Sequence, residues 1–204
     1  MNIQVVQGSL TDGGETLLVN ASNTNVALGS GVSGAIRRAC GPGYQEHISR
    51  ALEEAHRGPM EPGQVLITDA GAHPRARWIA HVAVMDYRDG FTGSSFPTLD
   101  LIRVCWASFF HAVDTLSEPV TVAMVALGAG TGQLGARAST EIACTSLLAY
   151  ERAHVGTSKL LGCTFYGFQL HEYAAIAEVV SGAFPEVLKA IPADVRALFQ
   201  PTTR

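Results

Sequence analysis

The sequence predicts an α/β fold: a three-layer α/β/α sandwich around a mixed, mostly parallel central sheet. Three observations predict it. Short β-branched or aliphatic runs alternate with longer stretches of helical spacing through to the end of the chain. Two of the runs, Trp78 to Val84 and Val120 to Leu127, are apolar almost throughout, as a strand covered on both faces requires. Of 204 residues, 47% are hydrophobic and 16% charged, enough for one sizeable core and too short for two ordinary domains. One domain is therefore expected over residues 1–204, with its core from about 3 to 168 and helices from 169 onward.

The elements follow in order. Ile3 to Val6 and Thr16 to Val19 are strand-like runs on either side of the turn-prone Thr11-Asp12-Gly13-Gly14, a pattern of paired strands. Val32 to Cys40 and Tyr44 to His56 carry helical spacing, the second with Ile48, Leu52 and Ala55 on one stripe. Arg57-Gly58-Pro59 then supplies a C-cap glycine and a breaker. Val65 to Thr68 and Trp78 to Val84 form two further strands joined by the turn Gly71 to Pro74. The polar, glycine-rich Asp86 to Pro97 reads as a surface loop, followed by a helix from Leu99 to Leu116. After Val120 to Leu127 come a helix from about Ala138 to Ala153 and a strand from Lys159 to Tyr166. Helices over Glu172 to Ala183 and Pro192 to Phe199 close the chain.

Composition excludes several functions. A formal charge of −4 offers no electrostatic footprint for an extended nucleic-acid backbone, although backbone N–H groups can hold a small anion without any lysine. The four cysteines Cys40, Cys105, Cys144 and Cys163 lie far apart among apolar or small residues, with no CxxC pair and no metal-ligand spacing. They read as reduced core thiols and point to a reducing compartment. No metal or cofactor is expected. The opening MNIQVVQG starts a strand, no apolar run reaches the ~20 residues of a membrane span, and a cytoplasmic location is expected.

In an open α/β sheet, ligands sit beyond the carboxyl ends of the strands, and two segments there are unusual. After TLLVN comes a loop in which Gly29, Gly31 and Gly34 permit close backbone approach, leading into a helix whose free N–H groups point back at the loop. After TVAMVAL comes GAGTGQLG, where Gly128, Gly130 and Gly132 alternate with small residues and bare the backbone amides. Two such loops at one sheet edge could clamp a diphosphate. The chain has no GxxxxGK[ST] lysine for a P-loop. It also lacks GxGxxG after the first strand and an acidic residue placed for a ribose, which disfavours a Rossmann domain.

The residues resemble the macrodomain family. VNASNTNVALGSGVSGAIRRACG (Val19 to Gly41) is similar to the family's VNAAN, spacer, glycine run and GVxGAI pattern. VVQGSL (Val5 to Leu10) resembles its opening strand and GDI-type turn, PGQVLITDAGAHPRARWIAHVAV its paired strands, and VAMVALGAGTGQLG its second phosphate loop. The resemblance implies an ADP-ribose cleft and, as partner, ADP-ribose or an ADP-ribosylated protein. In that cleft Asn23 would bond the distal ribose and Asn20 support the loop. Amides around Ser30, Gly31, Val32 and Ser33 would hold one phosphate. Those of the second loop, Gly128 and Ala129 through Gly130, Thr131 and Gly132 to Gln133, would hold the other. Ser9 and Leu10 would meet the base, and Tyr166 or Phe168 would stack on it, a face contact that suits a nucleobase.

There are departures from the family pattern. The aspartate that reads the adenine amino group is here Ser9, which gives up the charge-assisted part of that bond. The aspartate of the hydrolytic GVDG motif is here Ser33, and a serine without an adjacent base is a poor proton acceptor. The only lysines, Lys159 and Lys189, lie in no cleft loop, against a lysine-attack mechanism. Asp86, in a loop that could fold over the cleft, is the best local substitute for a missing base. His81, mid-strand, reads as a buried hydrogen-bonded histidine, and His47, His56 and His73 as surface residues. Three functions remain open: a binding module for ADP-ribose, a hydrolase of ADP-ribosyl adducts using Asn23 or Asp86, or a site for another nucleotide or an RNA phosphate end.

Overall fold

The computed structural model describes residues 1–199, so residues 200–204 of the expected single domain lie outside it. Six strands, β1 (Asn2–Gln7), β2 (Leu17–Asn23), β3 (Val65–Asp69), β4 (Trp78–Met85), β5 (Val120–Met124) and β6 (Leu160–Gly167), form one sheet in the order β1-β6-β5-β2-β4-β3. All neighbouring pairs are parallel except β3 with β4, so the mixed, mostly parallel α/β sheet expected from sequence is present. Ile79 to Met85 of β4 are all buried, as its unbroken apolar run requires.

β1 and β2, however, are not partners. They run in the same direction with β6 and β5 between them. Parallel strands cannot be joined by a tight hairpin. The segment between them instead makes a 3₁₀ turn at Leu10–Asp12 and returns to the start of β2, where Thr16 and Thr121 exchange hydrogen bonds.

The helices are α1 (Gly31–Ala39), α2 (Tyr44–His56), α3 (Leu99–Thr115), α4 (Ala136–Ala153), α5 (Leu170–Ala183) and the short α6 (Ala193–Arg196). A 3₁₀ stretch, Pro185–Ala190, precedes α6, which is shorter than the Pro192 to Phe199 spacing suggested. Tyr44 of α2 reaches Thr68 of β3 and touches the ring of His81 on β4, so α2 covers that face. α3 packs on the same two strands and therefore covers the other. Its Trp106, Phe109 and Phe110 form a cluster of edge-on and stacked rings in the core.

On α2 the buried stripe is Tyr44, Ile48 and Leu52. Ala55 is exposed because the packing of that stripe ends at Leu52. Arg57, not Gly58, takes the left-handed C-cap position, with φ 57° and its N–H on Glu53 O at 2.9 Å.

Candidate functional site

The carboxyl ends of β1, β2, β5 and β6 lie at one edge of the sheet, and the segments that follow them enclose a cleft of ≈ 810 Å³. One wall is a stripe of α1: Gly31, Val32, Ala35, Arg38 and Ala39, at helical spacing. Facing it are Ala129 and Gly130 of the second glycine loop. Ser9 to Asp12, Tyr166, Phe168 and Glu172 are among the residues that line the remainder.

The first loop is built by side-chain amides. Asn23 Oδ1 accepts from the N–H groups of Asn25 and Ala27, each at 3.1 Å, and its Nδ2 donates to Ala27 O at 3.0 Å. Gln45 of α2 braces the same loop, accepting from Leu28 N–H at 2.7 Å and donating to Val26 O at 3.2 Å. Gly31, at φ +57°, then starts α1 behind Ser30, an N-cap residue whose side chain makes no cap bond. The first intrahelical bond is Gly34 N–H to Ser30 O at 3.1 Å, so the amides of Gly31, Val32 and Ser33 have no partner among the described residues. Gly34 is needed for packing, since a Cβ there would lie 2.8 Å from Gly29 O.

The second loop folds on itself. Leu134 N–H closes onto Gly128 O at 3.1 Å and Gln133 N–H onto Gly130 O at 3.0 Å, with Gly128 at φ +73° and Gln133 at φ 60°. Ala129 N–H is already bonded to Ala126 O at 3.1 Å. Of the amides expected to face a phosphate, those of Gly128, Gly130, Thr131 and Gly132 are left without a backbone partner among the described residues.

The structure thus brings Ser9, Leu10, Gly31, Val32, Ala129, Gly130, Tyr166 and Phe168 together in the cleft. Phe168 is 71% exposed, whereas Tyr166 is buried and donates its hydroxyl to Glu15 at 3.0 Å. Ser9 caps the 3₁₀ turn, accepting weakly from Thr11 N–H at 3.4 Å, and its Oγ lies 2.8 Å from Thr11 Oγ1.

Asn20, Asn23, Ser30, Ser33, Gly128, Thr131, Gly132 and Gln133 are not among the lining residues, and of these Ser30, Thr131 and Gln133 are exposed. Asp86 does not line the cleft. Arg88 grips both of its oxygens, Nε to Oδ1 at 2.9 Å and Nη2 to Oδ2 at 2.7 Å, and holds the carboxyl below the usual range. Its loop is tied instead to the segment after β2, with Tyr87 N–H on Thr24 Oγ1 at 2.9 Å.

His73 is buried, not a surface residue. Its Nδ1 accepts from the N–H groups of Arg75 (3.2 Å) and Ala76 (2.9 Å), and its Nε2 donates to Thr11 O at 3.1 Å. The ring turns inward because the hairpin between β3 and β4 supplies two donors that need an acceptor. Arg38, which lines the cleft, was not singled out from sequence, although the i, i+4, i+7 stripe Gly31, Ala35, Arg38 contains it.

His81 is fully buried, and desolvation holds it down at about 3, against an ordinary value of 6.5. The unfolded chain therefore takes up this proton first, and stability present above pH 6.5 is lost as the pH falls toward 3. At about 1.4 kcal/mol per unit, the loss is roughly 3 kcal/mol between pH 7 and pH 4. Urea unfolding at the two pH values should show it, and His81→Gln should flatten the difference. An equal slope in the variant would assign the effect elsewhere.

A family model for the macro domain matches residues 19–143. A macro domain-containing protein of Xanthomonas axonopodis pv. citri is 32% identical over 155 residues, 76% of this chain and 83% of that protein. The chain belongs to the macro domain family. An O-acetyl-ADP-ribose deacetylase of Escherichia fergusonii is 38% identical to this macrodomain over 88 residues, 43% of the chain and 48% of the relative. A protein of Aeropyrum pernix is 30% identical over 132 residues, 65% of the chain and 63% of its own length. Several curated relatives are thus spanned over less than two thirds of their length.

Among solved structures, a Trypanosoma brucei macrodomain in complex with ADP-ribose superposes with a TM-score of 0.72 at 24% identity, covering 88% of this chain and 69% of that one. The Oceanobacillus iheyensis macrodomain with ADP superposes with a TM-score of 0.72 at 19% identity, covering 90% and 92%. At these identities the likeness is one of fold. Among the described residues, no helix is long and apolar enough to cross a membrane, and no group of three or more His, Cys, Asp or Glu is placed to hold a metal ion.

Proposed function

We propose that this macrodomain binds ADP-ribose, free or attached to a protein, without rapid turnover. The observation that carries the reading is the pair of glycine loops on one cleft, each offering backbone amides with no partner among the described residues. Such amides, at a helix start and in a tight loop, suit the two phosphates of a diphosphate. The exposed ring of Phe168 is free to stack on a base, while Tyr166 is anchored to Glu15. Structures of two macrodomains of the same fold carry ADP-ribose or ADP.

Slow turnover follows from how Asn23, Asp86 and Ser33, which stands where the hydrolytic motif has its aspartate, are engaged. Ser33 donates its hydroxyl to Asn20 at 2.9 Å, Asn23 is committed to its own loop, and Asp86 is held by Arg88 away from the cleft. General base catalysis needs a free acceptor within reach of the water, and none of the three supplies one. The buried free thiols of Cys40, Cys105, Cys144 and Cys163 support a reducing, cytoplasmic setting.

The competing reading is hydrolysis of an ADP-ribosyl adduct, supported by the deacetylase relative and by the carboxylates of Asp12 and Glu172 in the lining. Calorimetric titration with ADP-ribose, then a turnover assay on mono-ADP-ribosylated protein, separates the two. Binding without turnover is expected, and Ser33→Asp then tests whether the missing carboxylate is what divides them. Turnover by the wild type would install the hydrolase reading. No binding of ADP-ribose, set against binding of another nucleotide in the same panel, would overturn both.

A further inference from the structure

A chain of buried polar groups crosses the molecule from the first glycine loop to β3, at the edge of the sheet. Its direction is set at the far end. The Asp69 carbonyl can only accept, so the Tyr44 hydroxyl donates to it, at 3.1 Å. Tyr44 Oη in turn accepts from the Thr68 hydroxyl at 2.9 Å. With its proton so placed, Thr68 Oγ1 accepts from His81 Nε2–H at 3.2 Å. A neutral imidazole protonated at Nε2 has a bare Nδ1, which accepts from Asn20 Nδ2 at 3.1 Å. The amide is thereby turned with Oδ1 toward Ser33, whose hydroxyl donates to it at 2.9 Å. Asn20, Ser33, Tyr44, Thr68 and His81 are all buried, so solvent offers them no substitute partner.

We propose that Tyr44 is a positioning residue for the diphosphate site, acting through this one-directional relay on Ser33 and the first turn of α1. With the relay intact, the Ser33 hydroxyl points into the protein, and the amides of Gly31, Val32 and Ser33 are what the helix start presents. Without the Tyr44 hydroxyl the chain has no fixed terminus. His81 can then carry its proton on Nδ1, the Asn20 amide can turn over, and Ser33 Oγ becomes an acceptor. Its proton is left only Ala21 O, at 3.5 Å, a contact too long to hold the turn well.

The test is Tyr44→Phe, read in two ways. Nitrogen NMR of the ligand-free protein should show His81 wholly as the Nε2–H tautomer in the wild type and as a mixture in the variant. Calorimetry with ADP-ribose should show affinity lowered roughly three- to ten-fold. Thr68→Val should keep the wild-type tautomer, because His81 Nε2 lies 3.4 Å from Tyr44 Oη and can donate to it directly. If Tyr44→Phe does not fold, titrating ADP-ribose into the wild type should move the His81 nitrogen signals, since coupling between two sites is reciprocal.

An unchanged tautomer in Tyr44→Phe would overturn the proposal, and so would mixed tautomers with unchanged affinity, or His81 signals blind to bound ligand. Only the affinity and titration arms rest on the reading that the loop holds ADP-ribose. A wild type that binds none would defeat that reading, while the ligand-free tautomers would still judge the relay.

Discussion

Replacing Gly132 by alanine is expected to lower ADP-ribose affinity by about 100-fold or more, equivalent to roughly 2.7 kcal/mol. The added Cβ would lie 2.5 Å from Gly128 O and 2.8 Å from Gly128 Cα, with Pro97 Cγ also at 2.8 Å. Two of these three atoms are backbone and cannot rotate away. Gly128 is itself at φ +73° and its carbonyl is the acceptor that closes the loop on Leu134 N–H at 3.1 Å. Relief of the clash therefore moves the Gly130 to Gly132 amides, whose placement is what a phosphate would require. Overpacking of this kind also costs about 1–3 kcal/mol of stability, so urea unfolding should accompany the calorimetry. Gly14→Ala is the control: it meets open space, lies off the cleft and should bind as the wild type does. Wild-type affinity in a folded Gly132→Ala protein would remove the second loop from the site.

The glycines were readable from sequence because each has a local cause. Gly31 and Gly128 take positive φ and Gly34 and Gly132 touch backbone, and in each case a strand end precedes the run. The alternation of strands and helices was readable for a similar reason, since periodicity is a property of a short window. Strand order is not. Nothing within Ile3 to Val19 indicates that β6 and β5, more than a hundred residues later, will separate β1 from β2.

At the site, local and distant partners divide in a similar way. Asn23, the last residue of β2, and Asp86, just after β4, are polar, yet each is satisfied within a few residues of itself, by Ala27 and by Arg88. Gln45 and His73 work in the opposite way. They reach across 19 and 62 residues to Val26 and Thr11 and fix loops with which they share no sequence pattern. His81 was readable as a buried, bonded histidine from its apolar strand, whereas its partners on β2 and β3 required the register.

The two aromatics left open by the sequence can now be told apart by mutation. Phe168→Ala is expected to lower ADP-ribose affinity by about 1–3 kcal/mol, roughly 5- to 150-fold, with little change in stability. The first figure is the usual value of a base stacked on an aromatic ring. The second follows from exposure: Phe168 is 71% exposed and contributes little to the core, so its removal leaves no cavity.

Tyr166→Phe should show the reverse. It leaves the buried ring in place and deletes only the hydroxyl that donates to Glu15 at 3.0 Å, so stability falls by about 1 kcal/mol while affinity stays near that of the wild type. Calorimetry with ADP-ribose and with ribose 5-phosphate, which carries no base, completes the comparison. A stacking role predicts that Phe168→Ala weakens the first and spares the second. Equal losses for both ligands would mean that Phe168 shapes the cleft as a whole, and no loss for either would place the base elsewhere.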